Sequence, residues 1–241
     1  MNILVQFPTY GRAERFLDVL DKYVSMSSAQ NDIYFNINCD SADLSMTNSN
    51  VQRRIADIME QRLNVCYSIN YDSNTEKISA INANIADVTD TDFNWDIVVC
   101  ASDDMVPKVD EWDLEITDAM QEHYPDLNGC VHFNDGNTNG NLITFSILGR
   151  KLYEHFGYIY HPDYKSLYCD DEFTQVVRGM GKETYIDKII VSHEHYSIEG
   201  SQNHGIRDVA TVKTLAYSGR DQQVFAMRHR LGFPKERITN D

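Results

Sequence analysis

The sequence predicts an α/β fold, a mostly parallel sheet flanked by helices in a single domain. Three observations lead there. Strand-like and helix-like segments alternate through the first 100 residues. The run DIVVC at residues 96–100 has the unbroken apolar character of a strand buried on both faces. Polar clusters follow three of the strand-like runs, and open α/β sheets bind ligands beyond the carboxyl ends of their strands.

Taken in order, residues 3–7 form a short apolar run closed by Pro8, the pattern of a buried strand. Phe16, Leu17, Val19, Leu20 and Tyr23 then fall on one helical face, with Glu14, Asp18, Asp21 and Lys22 outside it. Residues 32–38 alternate Ile33, Phe35 and Ile37 with polar neighbours, a period of two. A second helix is expected over 46–63, a third strand over 65–70, and a helix over 77–88 on the spacing of Ile78, Ile81 and Ile85. Residues 96–100 then run straight into Ala101, Ser102, Asp103 and Asp104. The second half is less regular. It suggests helices at 112–123, 149–156 and 171–178, strands at 142–148 and within 183–192, and one or two helices over 207–231. Residues 134–141, NDGNTNGN, read as a loop. The expected division is a body of residues 1–204, with a nucleotide-binding half at 1–107 and an acceptor half at 108–204, followed by a helical extension at 205–241.

Composition narrows the function classes. The 241 residues carry a formal net charge of -16, which disfavours indiscriminate binding to phosphate backbones. Residues 205–241 differ, with seven basic and four acidic side chains, so a local basic site survives on an acidic body. Arg207, Lys213, Arg220, Arg228 and Arg230 can either hold an anion or pair with that body. No apolar run approaches the roughly 18 residues of a membrane span, and no signal-peptide pattern opens the chain. Cys39, Cys66, Cys100, Cys130 and Cys169 are scattered and never form a CxxC pair, as expected of buried thiols in a reducing cytoplasm.

Three clusters carry chemistry. Asp103 and Asp104 follow the buried strand; adjacent carboxylates repel and lose solvation, and a divalent cation such as Mn2+ or Mg2+ relieves both costs. Asp170, Asp171 and Glu172 precede a helical pattern and can supply a proton acceptor. His193 and His195 stand two apart in an extended segment, so both imidazoles can face one metal site. Gly200, His204 and Gly205 continue this segment as a candidate flap. Each cluster also has a plainer reading: a solvated acidic turn, a favourable acidic helix start, and a structural histidine pair. Walker, GxGxxG, GxSxG and HExxH motifs are missing from the sequence.

The order of these motifs over about residues 1–200 resembles the GT-A fold glycosyltransferases, especially the inverting family-two type. The opening VQFPTYGRAERFLDVLDKY looks like that family's strand followed by Pro-Thr-Tyr-x-Arg. The resemblance implies that Pro8, Thr9, Tyr10 and Arg12 line a nucleotide pocket, that Asp40 contacts the nucleobase, and that Lys77 and Asn82 lie near the nucleotide. CASDDMVP resembles the DxD region with Ala101 in the place of the first Asp. Ser102 and Asp103 then join the donor contacts, with Asp103 the preferred metal ligand and Asp104 the second. CDDEF resembles the acidic motif of the catalytic base, with Asp171 the best match and Asp170 its neighbour. VSHEHY resembles the late metal-binding histidine, His193 or His195, with His193 favoured.

What the resemblance implies is a cytoplasmic, metal-dependent transferase. It would move a sugar from a nucleotide-diphosphate sugar, UDP-sugars being the commonest donors, to an acceptor hydroxyl with inversion. A saccharide is the favoured acceptor, and a hydroxylated DNA base is a second candidate. Two other readings stand beside it: a nucleotidyltransferase acting on sugar phosphate, and a sugar-nucleotide-binding protein without catalysis.

Overall fold

The computed structural model describes residues 1–73, 76–89, 91–198 and 203–236. Gly200 of the expected flap and the end of the C-terminal extension, residues 237–241, lie outside them. The first half alternates strands and helices: β1 (Asn2–Thr9), α1 (Ala13–Ser25), β2 (Asp32–Asp40), α2 (Ser49–Met59), β3 (Val65–Asp72), α3 (Lys77–Asn82), α4 (Ile85–Thr89) and β4 (Ile97–Cys100). Then follow β5 (Met105–Pro107), α5 (Trp112–His123), β6 (Cys130–Phe133), β7 (Ile147–Gly149), α6 (Arg150–Phe156) and α7 (Cys169–Gly179). The chain continues through β8 (Glu183–Ile186), β9 (Val191–His193), α8 (Val209–Ala216) and α9 (Ser218–Arg230).

Seven strands form one mixed sheet in the order β3-β2-β1-β4-β7-β6-β8, a single domain with helices on both faces. β1 pairs in parallel with both β2 and β4, and β7 enters antiparallel to β4 and β6. Strand order therefore reverses at β1, which opens a crevice beyond the ends of β1, β2 and β4.

Alternation along β1 divides the core. Ile3, Val5 and Phe7 face α1, α2 and α5, where Phe7 meets the Phe16 ring at 4.9 Å and Tyr23 meets Trp112 at 5.2 Å. Leu4 faces the other way, into Ile78, Ile81, Leu152 and Phe173. Gln6 shares that second face and needs partners because it is buried. It accepts a hydrogen bond from Asn36 (2.7 Å) and donates to the carbonyl of Ala83 (2.7 Å). Asn36 in turn accepts from Ser68 (2.9 Å) and Asn70 (2.7 Å), so an amide ladder crosses three parallel strands.

Several elements differ from expectation. The helix expected over 46–63 is shorter because Asn48 caps it, accepting the Asn50 N–H at 2.9 Å. The single helix expected over 77–88 is two, broken at Ala83 and at Asn84, whose φ is 60°. The Ala83 carbonyl is drawn to Gln6 instead of a helical N–H. β5 and β6 were not expected, and the strand expected over 142–148 starts only at Ile147. Of the cysteines, Cys66 is exposed on the edge strand β3, against the expectation that all five are buried. No helix among the described residues is long and apolar enough to cross a membrane.

Candidate active site

Strand ends deliver the first wall of a cleft. Pro8 and Thr9 end β1, Tyr10 and Arg12 follow it, Asp40 ends β2, and Ser102, Asp103 and Asp104 follow β4; all line the same space. Gly11 allows the sharp exit from β1, since its φ of 68° is one that L side chains rarely adopt. Lys77, at the start of α3, and His195, after β9, complete the predicted wall. The hydroxyls of Thr9 and Ser166, both on this wall, are buried without a hydrogen-bond partner among the described residues.

The two adjacent acids have different surroundings. Asp103 is 5% exposed and held by arginines: Arg12 Nη1 donates to its Oδ1 at 3.0 Å, and Arg15 Nη2 lies 3.7 Å from the same oxygen. Burial and the neighbouring Asp104 charge nonetheless push the Asp103 carboxyl up from its ordinary range. Asp104 turns toward His193, whose Nε2 lies 3.8 Å from Oδ1, and it accepts a hydrogen bond from the Ser102 hydroxyl. Burial opposes its ionisation, but His193, Lys77 and Ser102 together hold it well below the usual carboxylate range.

A short two-stranded ribbon fixes that pairing. β5 and β9 run antiparallel with Met105 opposite His193, and the Glu194 N–H donates to the Asp104 carbonyl at 2.6 Å. The Asn-rich loop supports it from behind. Asp135 accepts the Asn137 and Thr138 N–H groups at 2.8 and 2.7 Å, and its carbonyl accepts the His193 N–H at 3.0 Å. The His195 ring lies 5.2 Å from that of His193. Burial and His193 push His195 down to about 4, so its ring is neutral at neutral pH and one of its two nitrogens carries a lone pair that a cation can take. Among the described residues no three His, Cys, Asp or Glu side chains already converge as a metal cluster. Asp104 and His193 are a ready pair of one hard oxygen and one imidazole nitrogen, with His195 beside them.

The predicted acids of CDDEF lie in the first turn of α7, beside the cleft and not on its wall. Asp170 is close enough to act on Lys77: with Asp104 it helps hold the Lys77 ammonium protonated. Asp171 is raised above the ordinary carboxyl range by burial and by Asp170. Asn82 is a correction. Its amide donates to the Tyr160 carbonyl at 2.6 Å and its oxygen accepts the N–H groups of Ile159 and Tyr160, so it straps α3 to the chain at 159–160 and does not line the cleft.

The sequence did not point to three contributors. Arg15 reaches back from α1 to the carbonyl of Asp103 at 2.8 Å. Ser166 arrives on a loop whose backbone is gripped by α9: fully buried Asp221 accepts the N–H groups of Lys165, Ser166 and Leu167 at 3.1, 2.7 and 2.9 Å. α8 closes the cleft with Thr211, Lys213 and Thr214. Of these, Lys213 is one of the five basic residues expected either to hold an anion or to pair with the acidic body.

No protein-family model matches the sequence, and no curated protein matches it. Solved structures do match in shape. The mannosyltransferase PcManGT from Pyrobaculum calidifontis, in complex with GDP-Man and Mn2+, superposes with a TM-score of 0.58 at 13% identity, covering 83% of this chain and 58% of that one. S. aureus TarS 1-349 in complex with UDP-GlcNAc gives 0.57 at 14% identity, covering 86% and 62%. The chain thus spans about three fifths of the length of these structures. What they share with it is the GT-A fold, which is the fold of this protein.

Proposed function

We propose that the protein transfers a sugar from a nucleotide-diphosphate sugar to an acceptor hydroxyl, with inversion at the sugar carbon. One observation carries this reading. The ends of β1, β2 and β4 bring an aromatic ring, a buried carboxylate and two further acids into one cleft at the switch point of the sheet, where the start of α3 adds Lys77. Both structural neighbours described above hold a nucleotide sugar, which supports the same ligand class.

In this reading Tyr10 and Asp40 seat the base, Asp40 accepting its N–H groups. Thr9 and Ser166 line the cleft, and their hydroxyls, buried without a partner among the described residues, can reach the sugar parts by a small rotation. Lys77 and Arg12 bring positive charge to the diphosphate. Asp104, His193 and His195 would hold a divalent cation, and the two imidazoles favour Mn2+ over Mg2+, which takes oxygen ligands. Such a cation, when bound, lowers the charge that builds on the leaving diphosphate. Asp103 is the weaker candidate ligand because two arginines already compensate it. Asp171 accepts the proton of the attacking hydroxyl, and its raised basicity suits that task.

The test is a thermal-shift and calorimetric screen of UDP, GDP, CDP and ADP with and without Mn2+. One diphosphate should stabilise the protein, more strongly with the metal, and its sugar conjugate should be hydrolysed slowly without an acceptor. Absence of any shift across all four would remove the reading.

A further inference from the structure

The base seat of the cleft is already filled by the protein's own chain. Lys213 of α8 places its Nζ 3.8 Å from the centroid of the Tyr10 ring and donates a 3.3 Å hydrogen bond to Asp40 Oδ2. A base stacked on that face of Tyr10 needs the same space, since stacked rings approach with centroids about 4.5–7 Å apart and leave no room for an ammonium between them. A base hydrogen-bonded to Asp40 needs the same oxygen.

The helix that carries Lys213 is fastened down. Asp208 caps α8 by accepting the Thr211 N–H at 2.9 Å. Arg12 then grips that cap from the cleft side, with Nε and Nη2 donating to the two Asp208 oxygens at 2.6 and 2.8 Å and Nη2 also to Thr211 Oγ1 at 2.8 Å. The N-terminus of α8 is thereby fixed, and the flexible Lys213 side chain is the part free to leave.

We infer that Lys213 is a built-in competitor for the nucleobase, a specificity-determining residue that makes occupancy of the seat depend on the phosphates. The inference rests on the donor-cleft reading above. A neutral nucleoside must displace the ammonium from both Tyr10 and Asp40 and gives it no new partner. A nucleoside diphosphate brings anionic oxygens that Lys213 can pair with once displaced. The chain therefore discriminates strongly between the two. A neutral side chain at 213 narrows the gap by strengthening nucleoside binding.

The experiment uses the full chain and its Lys213→Met and Lys213→Gln variants, each first checked for a native melting transition. Uridine and guanosine are titrated by NMR, and UDP and GDP by calorimetry with Mn2+. The expected result is that a diphosphate binds the wild type and that both variants bind the matching nucleoside about 5–30-fold more tightly, the combined size of a cation–π contact and a partly exposed ion pair. If the wild type binds a diphosphate but the variants bind the nucleoside no better, the inference is overturned and the donor reading stands. If no diphosphate and no nucleoside binds any of the three proteins, both fall together.

Discussion

Arg228 of α9 and Glu172 of α7 form a buried, doubly hydrogen-bonded ion pair, with Nε and Nη2 each donating at 2.8 Å to a separate carboxylate oxygen. Arg228 is fully buried and also donates to Asp163 Oδ2 at 3.0 Å, while Tyr164 donates its hydroxyl to Glu172 at 2.7 Å. The C-terminal helix thus holds the start of α7, where Asp170 and Asp171 stand.

Removing the guanidinium leaves two partly or wholly buried carboxylates without their cation. Arg228→Met is expected to destabilise the fold by about 3–5 kcal/mol, the usual size for breaking one side of a buried pair. Urea unfolding midpoints measure this, and a loss under 1 kcal/mol, the range of surface ion pairs, would contradict it.

Asp103 and Asp104 should separate by function. Asp104→Asn removes the carboxylate that faces His193 and should abolish the Mn2+-dependent part of nucleotide binding. Asp103→Asn loosens Arg12 and Arg15 and should keep that metal dependence. Calorimetry across a manganese series decides, and the reverse order would return the ligand role to Asp103.

Asp171→Asn should leave the dissociation constant for nucleotide unchanged and lower kcat by about 10²–10⁴-fold, the range for loss of a general base. The base acts only when ionised, so activity falls as pH drops through its raised pKa. Asp170 contributes to that rise, after burial. Asp170→Asn should therefore move the acidic limb of the kcat profile to lower pH, and a limb that stays in place would show that another group sets it.

Thr9 and Ser166 make a prediction of opposite sign for the free and bound protein. Each hydroxyl is buried without a partner among the described residues, so Thr9→Val and Ser166→Ala should leave the ligand-free Tm unchanged or slightly higher. Both should shrink the Tm rise produced by sugar nucleotide. A clear drop in the ligand-free Tm would mean that the hydroxyls serve the fold instead.

The front of the molecule was readable because β1, β2 and β4 are buried on both faces and end in polar residues. Ile3, Leu4 and Val5 are all fully buried, so an apolar run appears in the sequence, and Thr9, Asp40 and Asp103 follow directly from such runs. β6 was hidden by His132, a polar residue whose burial is compensated by Glu183 at 2.5 Å. Three-residue β5 ends in Pro107 and is too short to show a period. The missing parts of the cleft come from elements whose role is set by tertiary docking. Ser166 depends on Asp221 some 55 residues later, and Lys213 lies 173 residues from Asp40. Asn82 erred the other way: the residue type suited a ligand, but backbone groups at 159 and 160 had claimed it.

The β5–β9 ribbon joins segments 84–88 positions apart with only three paired residues on each side. Successive side chains on a strand alternate faces, so a slip of one position would turn the imidazole of His193 away from Asp104. The pairing of Asp104 with His193 therefore exists only where the intervening chain has docked, and a fragment ending before residue 191 would keep the strands that face the cleft yet lack both His193 and His195. Separately expressed halves of the protein offer a way to watch that assembly: the imidazole NMR signals of His193 should respond to manganese only after the two pieces are mixed.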